Sequence, residues 1–394
     1  MAAYECSRVP RVVVGSTGSE SVAEFVAGSA ASAVVLIVDE SAVANGYVDG
    51  IVAALVASLA SSGRLERSIE RYVVPPAEPY SSSVDAAADL VRSAPGAIVI
   101  GVGGGTALDT AKQAAVVATG AMGVEHYALG ANPLPGHRLM IAIPTTAGTG
   151  AEVTRTCIVT DRDGRKVWTW GDELLPDLVV LDPVATVTMP SHVTSATGLD
   201  AFVHALEAVS GRRSTALVTA PALHALRLAV DHLPTAVAEP NDLATRQAMQ
   251  EAALLAGLAI DGGGTGVAHS IGHALGTLGH VPHGVAVAIG LAAALDWNVA
   301  GVPEAYTSAA AALGRPVREL PDLLAELLAA VGLSTAIRRL PELELEPDQL
   351  AAAMIAEENL PMYRNNCRLA DDTERDLLAA RALALWADLW STQR

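Results

Sequence analysis

Residues 97–112 read AIVIGVGGGTALDTAK. An unbroken apolar run such as 97–102 is a strand covered on both faces, and the glycines turn it directly into a helix, expected over Ala107–Val117. The run Gly103, Gly104, Gly105 lets main chain approach a phosphate closely. The amides of the next helical turn, and the positive end of its dipole, then offer donors to an anion. Thr106 is placed to cap the helix and to donate to a phosphate oxygen. The spacing is not GxGxxG, so the ordinary dinucleotide fingerprint is absent.

Outward from this turn the alternation continues. Upstream, strands are expected at Val12–Val14, Ala33–Val38 and Arg71–Val74, with helices at Ser21–Ala31, Tyr47–Ser61 and Ser83–Ser93. Downstream, a strand at Leu139–Ile143 ends at Pro144, and strand signals resume at Thr156–Asp161 and Leu178–Leu181. Apolar strands separated by helices imply a parallel sheet with helices on both faces. Beyond Pro190 the pattern turns helical: Val193–Ser210, Thr215–His232, Leu243–Ala259, His269–Gly276, Val285–Trp297, Pro321–Val331 and Asp371–Thr392. The expectation is an α/β Rossmann-like dinucleotide-binding domain over 1–190 and an all-α domain over 191–394 carrying metal and substrate. A second ligand loop, PTTAGTGAEVT (144–154), leaves another strand end with four threonines and two glycines, suited to a pyrophosphate or ribose. Asp39 ends the second strand, where a carboxylate accepts from ribose hydroxyls and repels a 2′-phosphate, favouring NAD over NADP.

Composition narrows the function classes. The 394 residues carry a net charge of −18, which repels nucleic acid and anionic lipid, so an anionic ligand needs local donors. Three cysteines, Cys6, Cys157 and Cys367, give neither a disulfide framework nor a cysteine zinc motif. The N-terminus lacks a signal-peptide pattern, and the apolar run Val285–Leu295 stops at Asp296, short of a membrane span. A soluble, cytoplasmic protein is expected. Against many arginines there are two lysines, Lys112 and Lys166, which suggests positions where a flexible point charge does what a planar fork cannot.

Five of the ten histidines fall in two short segments of the helical half. In TGLDAFVHALEAV (197–209), Asp200 and His204 are spaced i, i+4 and share a helix face. VAHSIGHALGTLGHVPHG (267–284) holds His269, His273, His280 and His283. One carboxylate with imidazoles suits Fe²⁺ or Zn²⁺ with a position open to a substrate oxygen. Spacing leaves open which of the four histidines are ligands.

Together GGGTALDTAK, PTTAGTGAEVT, GLDAFVHALEA and AHSIGHALG…HVPHG resemble the iron-containing (group III) alcohol dehydrogenases, from Val12 to about Leu385. The resemblance implies the dehydroquinate synthase-like fold, a homodimer, and metal-dependent, NAD(P)-linked interconversion of a primary alcohol and an aldehyde. It assigns the metal to Asp200, His204, His269 and His283, and proton transfer to His273. It assigns the cofactor to Asp39, Gly103, Gly104, Gly105, Thr106, Asp109, Thr145, Thr146, Thr149 and Lys166, with Lys112 closing the glycine-loop pattern. Three positions depart from the family pattern or bear on the substrate: Glu78, Cys367 in NNCR (365–368), and Arg155. Arg155 and Arg368 suggest a small aldehyde bearing a carboxylate or phosphonate. Maleylacetate reductases and dehydroquinate synthases are the related readings. The first typically lack the aspartate that Asp200 supplies, and the second need several lysines where this chain has two.

Overall fold

The computed structural model describes residues 8–61, 68–76 and 79–391, so Cys6 and Glu78 lie outside the described residues. Among the described residues eight strands are formed: β1 (Arg11–Val14), β2 (Ala33–Asp39), β3 (Ser68–Val74), β4 (Ala97–Gly103), β5 (Met140–Pro144), β6 (Thr156–Thr160), β7 (Lys166–Trp170) and β8 (Leu178–Leu181). Six of them make one parallel sheet in the order β1-β8-β5-β4-β2-β3.

Strand periodicity divides the apolar residues between the two faces. Val34, Leu36, Val38, Ile98, Ile100 and Val102 pack with Val22 of α1 (Gly18–Gly28) and Ile51 of α3 (Tyr47–Ser61), which flank α2 (Glu40–Ala44). Val35, Ile37, Val99 and Ala142 pack on the other face with Val84 of α4 (Ser81–Ser93) and Leu108 of α5 (Gly105–Val117). The chain leaves β2 toward β3 at one edge and leaves β4 toward β5 in the opposite direction. The sheet therefore reverses between β2 and β4, the place where open α/β sheets bind ligands.

The strand expected at Thr156–Asp161 does not join this sheet. It pairs antiparallel with β7, a strand missed in the sequence, as a separate hairpin. A tight turn closes the hairpin. Asp161 Oδ1 accepts from the amides of Asp163 and Arg165, and Gly164 takes the left-handed conformation at φ +81°.

The chain divides into two compact units. One holds the sheet and hairpin, to Thr146 and over Ala151–Thr188. The other holds Ala147–Gly150 and everything from Met189. The second unit is built on α6 (Ser191–Ser210), α7 (Ala216–Ala238), α8 (Leu243–Gly263), α9 (Val267–Gly279) and α10 (His283–Gly301), followed by shorter helices and a final one at Asp372–Ser391. Among the described residues α10 is the one helix long and apolar enough to cross a membrane, and 78% of that stretch is buried within the protein. It runs past the expected stop because Asp296 faces outward and interrupts neither the helix nor its packing.

Candidate metal centre

Helix α6 sets Asp200 and His204 one turn apart on its buried face. His269 comes from α9 and His283 is the first residue of α10. The Nε2 atoms of His204, His269 and His283 lie 3.6, 3.7 and 3.4 Å from Asp200 Oδ1. One donor atom from each of the four falls within 4.8 Å of the others. Most of these separations exceed a good hydrogen bond. They match the spacing of roughly 3.4 Å expected between ligands that each sit about 2.1 Å from one tetrahedral ion. Asp200 Oδ1 and His269 Nε2 are buried yet have no hydrogen-bond partner, a cost that a cation between them removes. The donor set and its geometry fit a divalent metal. His283 keeps 29% of its side chain exposed, so the cage is most open on its side.

Burial opposes ionisation of Asp200, but the imidazoles of His204 and His283 outweigh it and hold the carboxyl well below its usual range. Burial drives His204 down to about 3, against the pull of the Asp200 carboxylate. His269 is raised to about 9: burial acts against its charge, and the carboxylates of Asp200 and Glu207 prevail.

Glu207 is a site residue that the sequence reading missed. It sits three residues beyond His204 and seven beyond Asp200, on the same helix face, and that spacing was the available signal. Its Oε2 accepts from His269 Nδ1 at 2.6 Å. His273 lies outside the quartet, its ring 5.4 Å from that of His283. His280 ends α9 in the left-handed conformation, φ 52°, and so serves as that helix's C-cap.

In the sheet-bearing unit, Asp39, the glycine turn and Thr145 meet at the point where the sheet reverses. Asp39 Oδ2 accepts from the Gly104 amide at 3.1 Å and from Thr145 Oγ1 at 3.3 Å, while Oδ1 caps α2 through the Ala42 amide. A Cβ on Gly103, whose φ is +157°, would stand 2.5 Å from Ala107 Cβ and 2.7 Å from Asp39 Oδ2. The helix begins at Gly105, so Gly104 is the N-cap and Thr106 does not cap it, contrary to expectation. Asp109 also points elsewhere, since its Oδ2 accepts from the Ile158 amide and ties α5 to β6. Lys112 is wholly buried and donates to the carbonyls of Ala151 and Thr154 at 2.7 Å each. Lys166 pairs with Thr160 in the β6–β7 hairpin. Thr146 packs against Gly104, whereas Thr149 belongs to the short stretch grouped with the helices.

The two arginines expected at the substrate are committed to internal contacts. Arg368 donates to the Trp297 carbonyl at 2.7 Å, pairs with Glu374, and lies 4.1 Å over the Trp297 ring. Arg155 stacks 4.9 Å over Trp170 and pairs with Asp172 at 3.3 Å, with 16% of its side chain exposed. Cys367 is a free thiol beside Asn298 and Tyr306.

Residues 10–183 match the family model described as iron-containing alcohol dehydrogenase, and residues 194–377 match the C-terminal model of the Fe-containing alcohol dehydrogenase family. The chain is 36% identical to a probable alcohol dehydrogenase, EutG, of Salmonella typhimurium over 318 residues, 78% of each chain. It is 32% identical to the NAD-dependent methanol dehydrogenase of Bacillus methanolicus over 258 residues, 65% of this chain and 68% of that one. The crystal structure of sulfoacetaldehyde reductase from Bifidobacterium kashiwanohense with NAD+ superimposes with a TM-score of 0.84 at 24% identity over 100% of each chain.

Proposed function

This chain belongs to the iron-containing alcohol dehydrogenase family, and from that premise we propose that it interconverts a small primary alcohol and its aldehyde with NAD and a divalent cation, Fe²⁺ or Zn²⁺. The observation that carries the reading is the convergence of three imidazole nitrogens on Asp200 Oδ1. A cation there supplies Lewis acidity to the alcohol or carbonyl oxygen, and the nicotinamide carries the hydride. Asp200, His204, His269 and His283 hold the ion. His273, beside His283, moves the alcohol proton toward solvent. The Gly103–Thr106 turn, with Thr145 and Thr146, binds the dinucleotide phosphates, and Asp39 accepts from the adenosine ribose in preference to a 2′-phosphate. A relative described as an NAD-dependent methanol dehydrogenase supports NAD as the cofactor.

Because Arg155 and Arg368 already have internal partners, a small uncharged aldehyde is favoured over a carboxylate- or phosphonate-bearing one. The test is NADH-linked reduction of a panel of neutral and anionic aldehydes by the purified protein. Activity should vanish on chelation and return with Fe²⁺ or Zn²⁺, and Arg155→Ala should leave KM for acidic aldehydes unchanged. Full activity in rigorously metal-free protein would sink the metal-dependent reading.

A further inference from the structure

We infer that Glu207 sets the affinity of the Asp200, His204, His269 and His283 cage for its ion, as a positioning residue that does not itself touch the ion. The inference rests on the metal reading above. Glu207 is 5% exposed, and its carboxylate accepts three hydrogen bonds: Gly266 N to Oε2 at 2.8 Å, Ala268 N to Oε1 at 2.6 Å, and His269 Nδ1 to Oε2 at 2.6 Å. The two amides lock the plane of the carboxylate. Held that way, Oε2 can receive only a protonated Nδ1 from His269. The lone pair is thereby placed on Nε2, the atom that faces Asp200 Oδ1.

The surroundings are built for this carboxylate. Gly266 leaves the room: a Cβ there would stand 2.8 Å from Glu207 Oε1. The intervening amide, Val267 N, is turned to Asn366 Oδ1 at 3.3 Å, so it does not compete for Glu207. Asn366 is braced in turn by donating to Asn298 Oδ1 at 2.8 Å and to the Arg368 carbonyl. This gives the NNCR segment work behind the cage. The carboxylate also sits at the N-terminus of the 13-residue α9, where the helix dipole favours it. With Asp200 it places two negative charges around a site for a doubly charged ion, one in the cage and one behind His269.

Glu207→Gln keeps the volume but leaves one acceptor oxygen where there were two: with that oxygen on Ala268 N, its NH₂ faces His269 Nδ1 and the Gly266 amide. That favours the tautomer with the proton on Nε2, the wrong atom for a ligand. The full-length protein is stripped with a chelator and titrated with Zn²⁺ against a competing chelator, and with Co²⁺ by its d–d absorption, at one fixed pH. The wild type should take up one ion per chain. Glu207→Gln should bind about 10–100-fold more weakly while still folding without metal, at a melting temperature lowered by the loss of one buried amide partner. Glu207→Asp, which keeps the charge but draws the oxygens back by one methylene, should fall between them. It carries the test by itself if the glutamine variant does not fold. Wild-type affinity in a folded variant overturns the inference and leaves the metal reading standing. No uptake by the wild type overturns both.

Discussion

Lys112 shows at the residue scale what a point charge does that a fork cannot. Its ammonium is sealed from solvent and aims at the carbonyls of Ala151 and Thr154, with a third, Thr156, at 3.4 Å. Three carbonyls from one short stretch converge on one small group, and a planar guanidinium does not fit that geometry. Lys112→Met should cost about 2–5 kcal/mol, because buried carbonyls lose their donor, and Lys112→Arg should not restore it; thermal melts of the three proteins decide. His137 gives a pH-dependent counterpart. Its two ring nitrogens lie 2.8 Å from Asp177 Oδ2 and from the Glu173 carbonyl. Burial pulls the imidazole pKa down, but these partners outweigh it and raise it; Asp177 is lowered because His137 and the Met140 amide outweigh its own burial. A raised histidine stabilises fully below its unfolded value and loses that contribution as pH rises through the folded one. A lowered aspartate loses its contribution as pH falls through its folded value. The pair therefore contributes most between about pH 4 and about pH 6.5. His137→Ala should lower the melting temperature more at about pH 5.5 than at about pH 8.5; equal losses would show that the pair is not charged.

At the scale of elements, the loop PTTAGTGAEVT differs most from its sequence reading. Its glycines suggested room for a phosphate, but Gly148 and Gly150 serve helix contact. A Cβ on Gly148 would stand 2.5 Å from the Thr197 carbonyl of α6. One on Gly150, at φ +65°, would stand 2.5 Å from Gly257 Cα of α8. Both obstacles are backbone and cannot swing aside. Gly148→Ala and Gly150→Ala should each cost about 2 kcal/mol or more. Gly28→Ala, in α1 with nothing within 4 Å of the new methyl, should be neutral or stabilising by up to about 1 kcal/mol. Denaturant unfolding of the three variants checks the contrast, and a Gly150→Ala protein as stable as Gly28→Ala would refute it. Helix α6 was more legible in its DxxxH pair, while Glu207, seven residues beyond Asp200 on the same buried face, was overlooked.

For the whole molecule, an ion bound only in the folded state should raise stability by mass action, by about 4 kcal/mol at a thousand times Kd. Chelation should lower the melting temperature, and readdition should restore it in a concentration-dependent way; a melting temperature indifferent to metal would mean that the cage is not loaded. The alternation of buried strands with helices up to Pro190, and of helices thereafter, was written in apolar periodicity, because each element must bury one face whatever its partners. The glycine turn and the DxxxH helix were legible because their spacing is local, and Asp39 because it ends a strand, although its partners Gly104 and Thr145 are distant in sequence. Tertiary structure alone decided what depends on distant segments. Arg155 and Arg368 were drawn to Trp170 and Trp297, and Asp109 was taken by Ile158. Periodicity puts a histidine on a helix face, but three helices must pack before His204, His269 and His283 can converge on Asp200 and Glu207 can reach behind His269.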